Sequence, residues 1–285
     1  MGVMAYTAWG LLPLFLKLLQ PLPPVDILSH RILWSLLLLG ILAALLRRGA
    51  ALGRVVRSPR LLATLVGSAT LIGINWLIYV EAVNSGHVLQ ASLGYFINPL
   101  VNVLLGVVIL RERLGRVEIV AVALAAIGVA TLAIWQHALP HVSLALALTF
   151  GLYGLVRKMA PVDSLEGLLV ETALLSPLAL AWLLSPAGAG LPAAGPSMAL
   201  LASSGVVTAV PMLMFASAAK RIRYADLGLL QYIAPTLQLF CAVVLFGEPL
   251  LPIHLVAFAF IWTALVIYGV ATWRRAAQAM PMMPE

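Results

Sequence analysis

Residues 82–114 read AVNSGHVLQASLGYFINPLVNVLLGVVILRERL, and residues 218–250 read AAKRIRYADLGLLQYIAPTLQLFCAVVLFGEPL. Laid over each other without gaps, they align Ala82 with Ala218, Ile97 with Ile233, Pro99 with Pro235, Val107 with Val243, Glu112 with Glu248 and Leu114 with Leu250. Each string is one long apolar segment that runs into a short loop carrying Glu-x-Leu. About 20 apolar residues in a helix cross a hydrocarbon layer of roughly 30 Å. The chain thus carries two copies of a membrane-helix unit.

Working outward, the same kind of segment recurs. The chain has 285 residues, is 63% hydrophobic and 9% charged, and has a mean hydropathy of +1.07. Ten segments can be read, at 2–19, 25–46, 61–81, 88–110, 117–134, 141–156, 165–184, 197–218, 225–246 and 252–273. Backbone inside lipid must bond to itself, so these are expected to be helices. The alternating ten-residue segments of a barrel are missing from the pattern. The expected fold class is an all-α integral membrane protein with ten transmembrane helices.

The charges orient the bundle. Of the 17 Lys and Arg residues, all but Lys17 and Arg31 lie in every second gap or in the tail, at 47–60, 111–116, 157–158, 220–223 and 274–275. Cytoplasmic loops collect Lys and Arg, so both termini are expected to be cytoplasmic. The net charge of +7 is read as topology beside anionic lipid and not as a nucleic-acid surface. The stretch SPAGAGLPAAGP (185–196) is an outside loop. The first segment lacks a basic leader, so no cleavable signal peptide is expected. The lone Cys241 excludes an intramolecular disulfide and reads as a packing residue.

Five spans followed by five more start the second half on the opposite side. The repeat is therefore expected to be inverted, with units 1–138 and 139–285, a framework common among secondary transporters.

The proline followed thirteen residues later by Glu-x-Leu resembles the repeat unit of the drug/metabolite transporter superfamily, EamA family. The strings WGLLPLFLKLL (9–19), HRILWS (30–35), NWLIYVEAVNSGHVLQASLGYFINPL (75–100) and LGLLQYIAPTLQLF (227–240) resemble its RarD-like permeases. The resemblance spans nearly the whole chain. It implies ten helices in a 5+5 inverted repeat in a bacterial inner membrane, and movement of small metabolites or drugs, often outward. RarD-like proteins are commonly labelled chloramphenicol-resistance permeases, and other superfamily members export amino acids, aromatic ones included. The expected function is alternating-access efflux of small amphipathic compounds. The alternatives are an uptake permease or a lipid flippase on the same scaffold.

Candidate cavity residues follow from helical spacing. Ala91, Tyr95, Asn98 and Asn102 share one face of the fourth segment, and Gln231, Pro235 and Gln238 share one face of the ninth. These stripes are expected to face each other at mid-membrane, as cavity lining or as interhelical glue. Asn75, Trp76 and Tyr79 on the third segment, Trp9, Trp34, Tyr153 and Tyr232 elsewhere, and Thr208 on the eighth are the further candidates. Aromatics in a bundle can wall a site for flat molecules or simply pack. Trp135 and Trp273 suit interface anchors. Pro99 and Pro235 are candidate gating bends, since proline removes a backbone hydrogen bond. Pro13, Pro177 and Pro211 also lie within segments.

Ionisable groups within spans are costly. Lys17, Asp26, His30, Arg31, Glu81 and His87 gather toward the outer face. They read as a salt-bridge rim, with Arg31 or Lys17 pairing Glu81, or as an outer gate or a site for a substrate carboxylate. Glu171 lies inside the seventh segment. It reads as a proton-coupling or amine-binding group, or as a Glu held by a nearby Arg. Glu112 between Arg111 and Arg113 reads as a loop ion pair, and Asp163 and Glu166 suit a helix N-terminus. The expected partners are a small-molecule substrate, the bilayer and protons as coupling ion, with monomer or dimer left open. No glycine loop cradles phosphate, so neither ATP nor another cofactor is expected. His137 and His141 are interrupted by Pro140, and no metal is expected. An integral-membrane enzyme would need a convergent cluster, for which His30, Arg31, Glu81 and His87 are the sole candidates; no enzyme is expected.

Overall fold

The computed structural model describes residues 1–20, 22–85, 88–135, 140–188, 198–247 and 249–279, without the side chains of 83, 84, 88–91, 140, 273 and 275–279. His87, His137, Glu248 and the side chains of Ala91 and Trp273 therefore lie outside the described residues. The regular elements of the described residues are all helical, with no strand: α1 (Gly2–Gly10), α2 (Leu12–Leu18), α3 (Pro24–Leu45), α4 (Gly49–Arg57), α5 (Pro59–Asn84), α6 (Val88–Val108), α7 (Arg116–Trp135), α8 (Pro140–Met159), α9 (Ser164–Leu184), α10 (Met198–Arg221), α11 (Tyr224–Leu230), α12 (Ile233–Phe240), a π-helical turn (Cys241–Leu245) and α13 (Pro252–Ala279). Among the described residues, eight stretches are long and apolar enough to cross a membrane, and Ser92–Val108 is a shorter apolar helix. Only 28–44% of the apolar window of each stretch is buried, so most of its apolar surface faces outward, as lipid solvation requires. The chain is a multi-pass membrane protein.

The first expected segment is broken, and Pro13 gives the reason. Proline has no N–H, and its ring crowds the carbonyl four residues back, which is that of Trp9. α1 stops at Gly10, and the Trp9 carbonyl accepts instead from Gln238 Nε2 at 3.2 Å. Pro235 does the same to Gln231, whose carbonyl bonds the Ala234 N–H at 3.0 Å, so the ninth segment divides into α11 and α12. Pro99, Pro177 and Pro211 leave their helices continuous. The basic gap at 47–60 contains α4, a short amphipathic helix of the kind that lies along a membrane interface. It buries Val55 against Leu65, Val162 and Val170.

Helix pairing sets the core. α3 packs on α9 and α10; α5 on α8 and α9; α6 on α8 and α11; α1 on α10 and α12; and α7 on α13. The central cluster gathers Tyr6, Tyr153, Phe215 and Tyr224 with partly buried Trp9, Trp76 and Phe150. The basic gaps meet at one end: Arg48 reaches Asp163, and Arg223 reaches the Arg113 carbonyl at 3.3 Å. This is called the basic end below.

Glycine permits the closest crossing. A Cβ on Gly205 would lie 2.5 Å from the Trp34 carbonyl carbon, so α3 and α10 touch backbone to backbone. Gly205→Ala is expected to push them apart at a cost of about 1–3 kcal/mol. Its unfolding temperature in detergent should fall, while Gly40→Ala, which meets nothing within 4 Å, should leave it unchanged.

Candidate functional site

The basic end is shut by side chains that reach across it. Lys158 Nζ at the end of α8 donates to the carbonyls of Ala219 at 2.8 Å and Ile222 at 2.6 Å. Lys220 Nζ on α10 donates back to the carbonyls of Ala160 at 2.9 Å and of Val162. Helix C-terminal carbonyls lack intrahelical partners, and lysine satisfies them. Arg48 Nη1 contacts Asp163 and Glu166, each at 3.3 Å.

Beside this lies Glu112. Arg111 adopts a left-handed φ of 57° after α6, and the Glu112 N–H closes back on the Gly106 carbonyl at 2.9 Å. The turn aims the Glu112 carboxylate at the start of α11, where it accepts from the N–H groups of Tyr224 at 2.6 Å and Ala225 at 2.9 Å. A Cβ on Gly106 would sit 2.6 Å from that carboxylate. Glu112 is therefore a helix cap and not a pair for its Arg neighbours. Arg223 is held by Glu118, Asp226 and, at 3.4 Å, the Tyr268 hydroxyl. The Glu118 hydrogen bond raises Arg223 above the usual guanidinium range, so it stays charged.

Within the bundle, Glu171 is 1% exposed and Arg157 is 0% exposed. Arg157 Nη1 lies 3.4 Å from Glu171 Oε1, which also accepts from the Ser68 hydroxyl, and the Tyr153 hydroxyl donates to Oε2 at 3.3 Å. Arg157 Nη2 donates to the Ser164 carbonyl at 3.3 Å. A Cβ on Gly167 would fall 1.8 Å from Nη1, so only glycine leaves room for the guanidinium. Charge counting treats Arg157 as one more loop cation, but here it is the buried partner of Glu171. Arg157 stands one residue beyond the expected segment 141–156 but within α8, which runs on to Met159.

The polar stripes are interhelical links. Asn102 Nδ2 donates to Gln231 Oε1 at 2.8 Å and Asn98 Oδ1 at 3.1 Å. Asn98 and Asn75 each donate at 2.9 Å to α8 carbonyls, those of Ala147 and Leu146 respectively. The Tyr232 hydroxyl bonds the Phe96 carbonyl at 3.2 Å. Among the aromatics, Trp9 lies against Tyr6, Phe150 and Phe215, with centroids 5.6–5.8 Å apart. Trp34 lies at the Gly205 crossing. Trp76, Thr208, Ser35 and Thr172 face a crevice between α3, α5, α9 and α10 of about 10 Å³, room for no more than a water.

Of the charges expected at the outer face, neither Lys17 nor Arg31 pairs with Glu81 among the described residues. Lys17 sits over the Phe246 ring at 4.2 Å, Asp26 accepts from Trp182 Nε1 at 2.7 Å, and His30 is buried. Arg31 Nε donates to Thr208 Oγ1 at 2.8 Å, whereas Glu81 is exposed at the end of α5.

An all-helical membrane bundle of this sequence has known counterparts. The EamA-like transporter family matches residues 1–134. An uncharacterized transporter of Pseudomonas aeruginosa is 48% identical over 279 residues, 96% of this chain and 93% of the relative. The chain belongs to the EamA-like transporter family. Within it, the chain is RarD-like: protein RarD of Escherichia coli is 42% identical over 94% of this chain and 92% of the relative. A chloramphenicol-sensitive protein RarD of P. aeruginosa is 33% identical over 90% and 88%. A solved protein crystal structure shares the fold, with a TM-score of 0.74 over 96% of each chain at 21% identity.

In this EamA-like transporter the buried ion pair can be tested on stability. Arg157→Ala strands the Glu171 carboxylate and is expected to cost about 3–5 kcal/mol, whereas Arg157→Met with Glu171→Leu should recover most of that loss. Detergent melting curves decide: a double variant no more stable than the single one would contradict the pairing.

Proposed function

We propose that this chain is a ten-span secondary transporter of the bacterial inner membrane that exports small amphipathic compounds by alternating access. In this reading 1–138 and 139–285 are inverted repeats, both termini are cytoplasmic and the basic end faces the cytoplasm. The helix pairing supports the repeat. Exchanging α1 with α8, α3 with α9, α5 with α10, α6 with α11–α12 and α7 with α13 turns the α5–α9 contact into α10–α3, α5–α8 into α10–α1 and α6–α8 into α12–α1. The α3–α9, α6–α11 and α7–α13 contacts map onto themselves.

The observation that carries the mechanism is the closed basic end beside a crevice that no substrate fits. Release of the lysine contacts opens the path to the cytoplasm, and the breaks before Pro13 and Pro235 let α1 and α11 tilt separately from α2 and α12. Pro99, in a continuous helix, serves as the counterpart bend in α6. Trp9, Trp34, Trp76, Tyr79, Tyr95 and Thr208 line the opened cavity, with Asn75, Asn98, Asn102, Tyr153, Gln231, Tyr232 and Gln238 as polar groups freed when the links part. Lys17, His30, Arg31 and Glu81 form the outer gate. Glu171 exchanges Arg157 for a proton once per cycle, coupling export to the proton gradient. Chloramphenicol and aromatic amino acids are the first substrates to try.

Proteoliposomes with an imposed pH gradient should accumulate one of these compounds, and dissipating the gradient should abolish accumulation. Glu171→Gln should exchange substrate at equilibrium yet accumulate none. Undiminished accumulation by that variant removes the coupling role. Transfer of labelled lipid without solute flux would make the protein a flippase.

A further inference from the structure

Among the described residues of the expected outer group, Arg31 turns its guanidinium into the bundle. It lies seven residues into α3, about 10 Å along the helix from its start. Its Nε donates to Thr208 Oγ1 at 2.8 Å, and neither Nη1 nor Nη2 has a hydrogen bond among the described residues. The ion pairs among the described residues involve Arg48, Arg157 and Arg223, and none involves Arg31. Two buried carboxylates of the bundle have other partners: Asp26 accepts from Trp182, and Glu171 is engaged by Ser68, Tyr153 and Arg157. Tyr79 and Tyr95 lie within electrostatic reach of the guanidinium, and their rings meet edge to face at 6.0 Å. Tyr95 is 40% exposed, and its ring meets that of Tyr79. Thr208 also borders the central crevice.

From this arrangement we propose that Arg31 is the anion-binding residue of the transport site, and that its substrates are compounds with one carboxylate on an aromatic or apolar body. The proposal rests on the transporter reading and narrows it. A guanidinium inside a membrane protein is costly without a counter-charge. Its two free Nη groups match the two oxygens of a carboxylate, and Thr208 presets the fork. The Tyr79–Tyr95 pair gives the body a wall, and the phenol hydroxyls add donors that a carboxylate accepts and an uncharged drug uses less well. Arg31 thereby distinguishes acids from neutral compounds of the same size.

The test uses matched pairs: phenylacetate against phenylacetamide, and phenylalanine against phenylalaninamide. Binding to the purified full-length protein is read by calorimetry and tryptophan fluorescence. At least one acid should bind about ten-fold or more tightly than its amide, the scale of one charge-assisted hydrogen bond. Arg31→Gln should bring that pair to within about two-fold, and Arg31→Lys, which keeps the charge but not the fork, should lie between. Thr208→Val, which unties the fork, should narrow the ratio as well, and it serves where Arg31→Gln fails to fold. Acids that bind no better than amides, acids that do not bind, or a ratio unchanged by these variants would overturn the proposal. Counterflow of chloramphenicol, which lacks a carboxylate, separates the two readings. Chloramphenicol flux unaffected by Arg31→Gln, with no preference for acids, overturns the anion site and leaves the transporter standing. Acid binding through Arg31 with no counterflow of any probe supports the anion site and overturns the transporter.

Discussion

Lipid offers no hydrogen bonds, so every polar group that enters it must find its partner inside the protein. This constraint organises the bundle more than apolar packing does. The Trp9 carbonyl freed by Pro13 is taken by Gln238, and the Gln231 carbonyl freed by Pro235 is taken by the Ala234 N–H. α8 becomes a shared acceptor for the same reason. Asn75 from α5, Asn98 from α6 and the Tyr224 hydroxyl from α11 donate to its carbonyls at 146, 147 and 151. A carbonyl has a second lone pair, so these donors link three helices to α8 without breaking its ladder.

Charge follows the same rule. Arg157 and Glu171 are each costly where they lie, and they persist because each meets the other together with Ser68, Tyr153 and the Ser164 carbonyl. Gly167 shows that the backbone has been shaped around the guanidinium. Arg31 follows a different pattern, with a hydroxyl partner and no carboxylate.

The class of fold was legible because apolar length and charge alternation are properties of whole segments. The segments at 25–46, 117–134 and 165–184 come within a few residues of α3, α7 and α9. The breaks before Pro13 and Pro235 were harder to read, since Pro99, Pro177 and Pro211 sit in equally apolar runs and stay helical. At Pro13 the freed carbonyl is met by a side chain from far along the chain, Gln238, while at Pro235 it is met locally by the Ala234 N–H. The facing of Asn102 and Gln231 followed from helical spacing. Arg157 and Glu112 were misread for one reason: a charge near the end of an apolar segment reads as a loop charge unless its partner is known. Those partners, Glu171 and the start of α11, lie 14 and 112 residues away in sequence. The pairing of Arg31 with Glu81 failed because Thr208 and not Glu81 faces the guanidinium.

The two lysines at the basic end hold each other's loops. Lys158 grips carbonyls beside Lys220, and Lys220 grips carbonyls just beyond Lys158. Lifting either loop strains both sets of contacts, so the clasp ties the two loops together. In the proposed alternating-access cycle, α8 and α10, which α9 separates in the chain, are in this way made to move on one schedule.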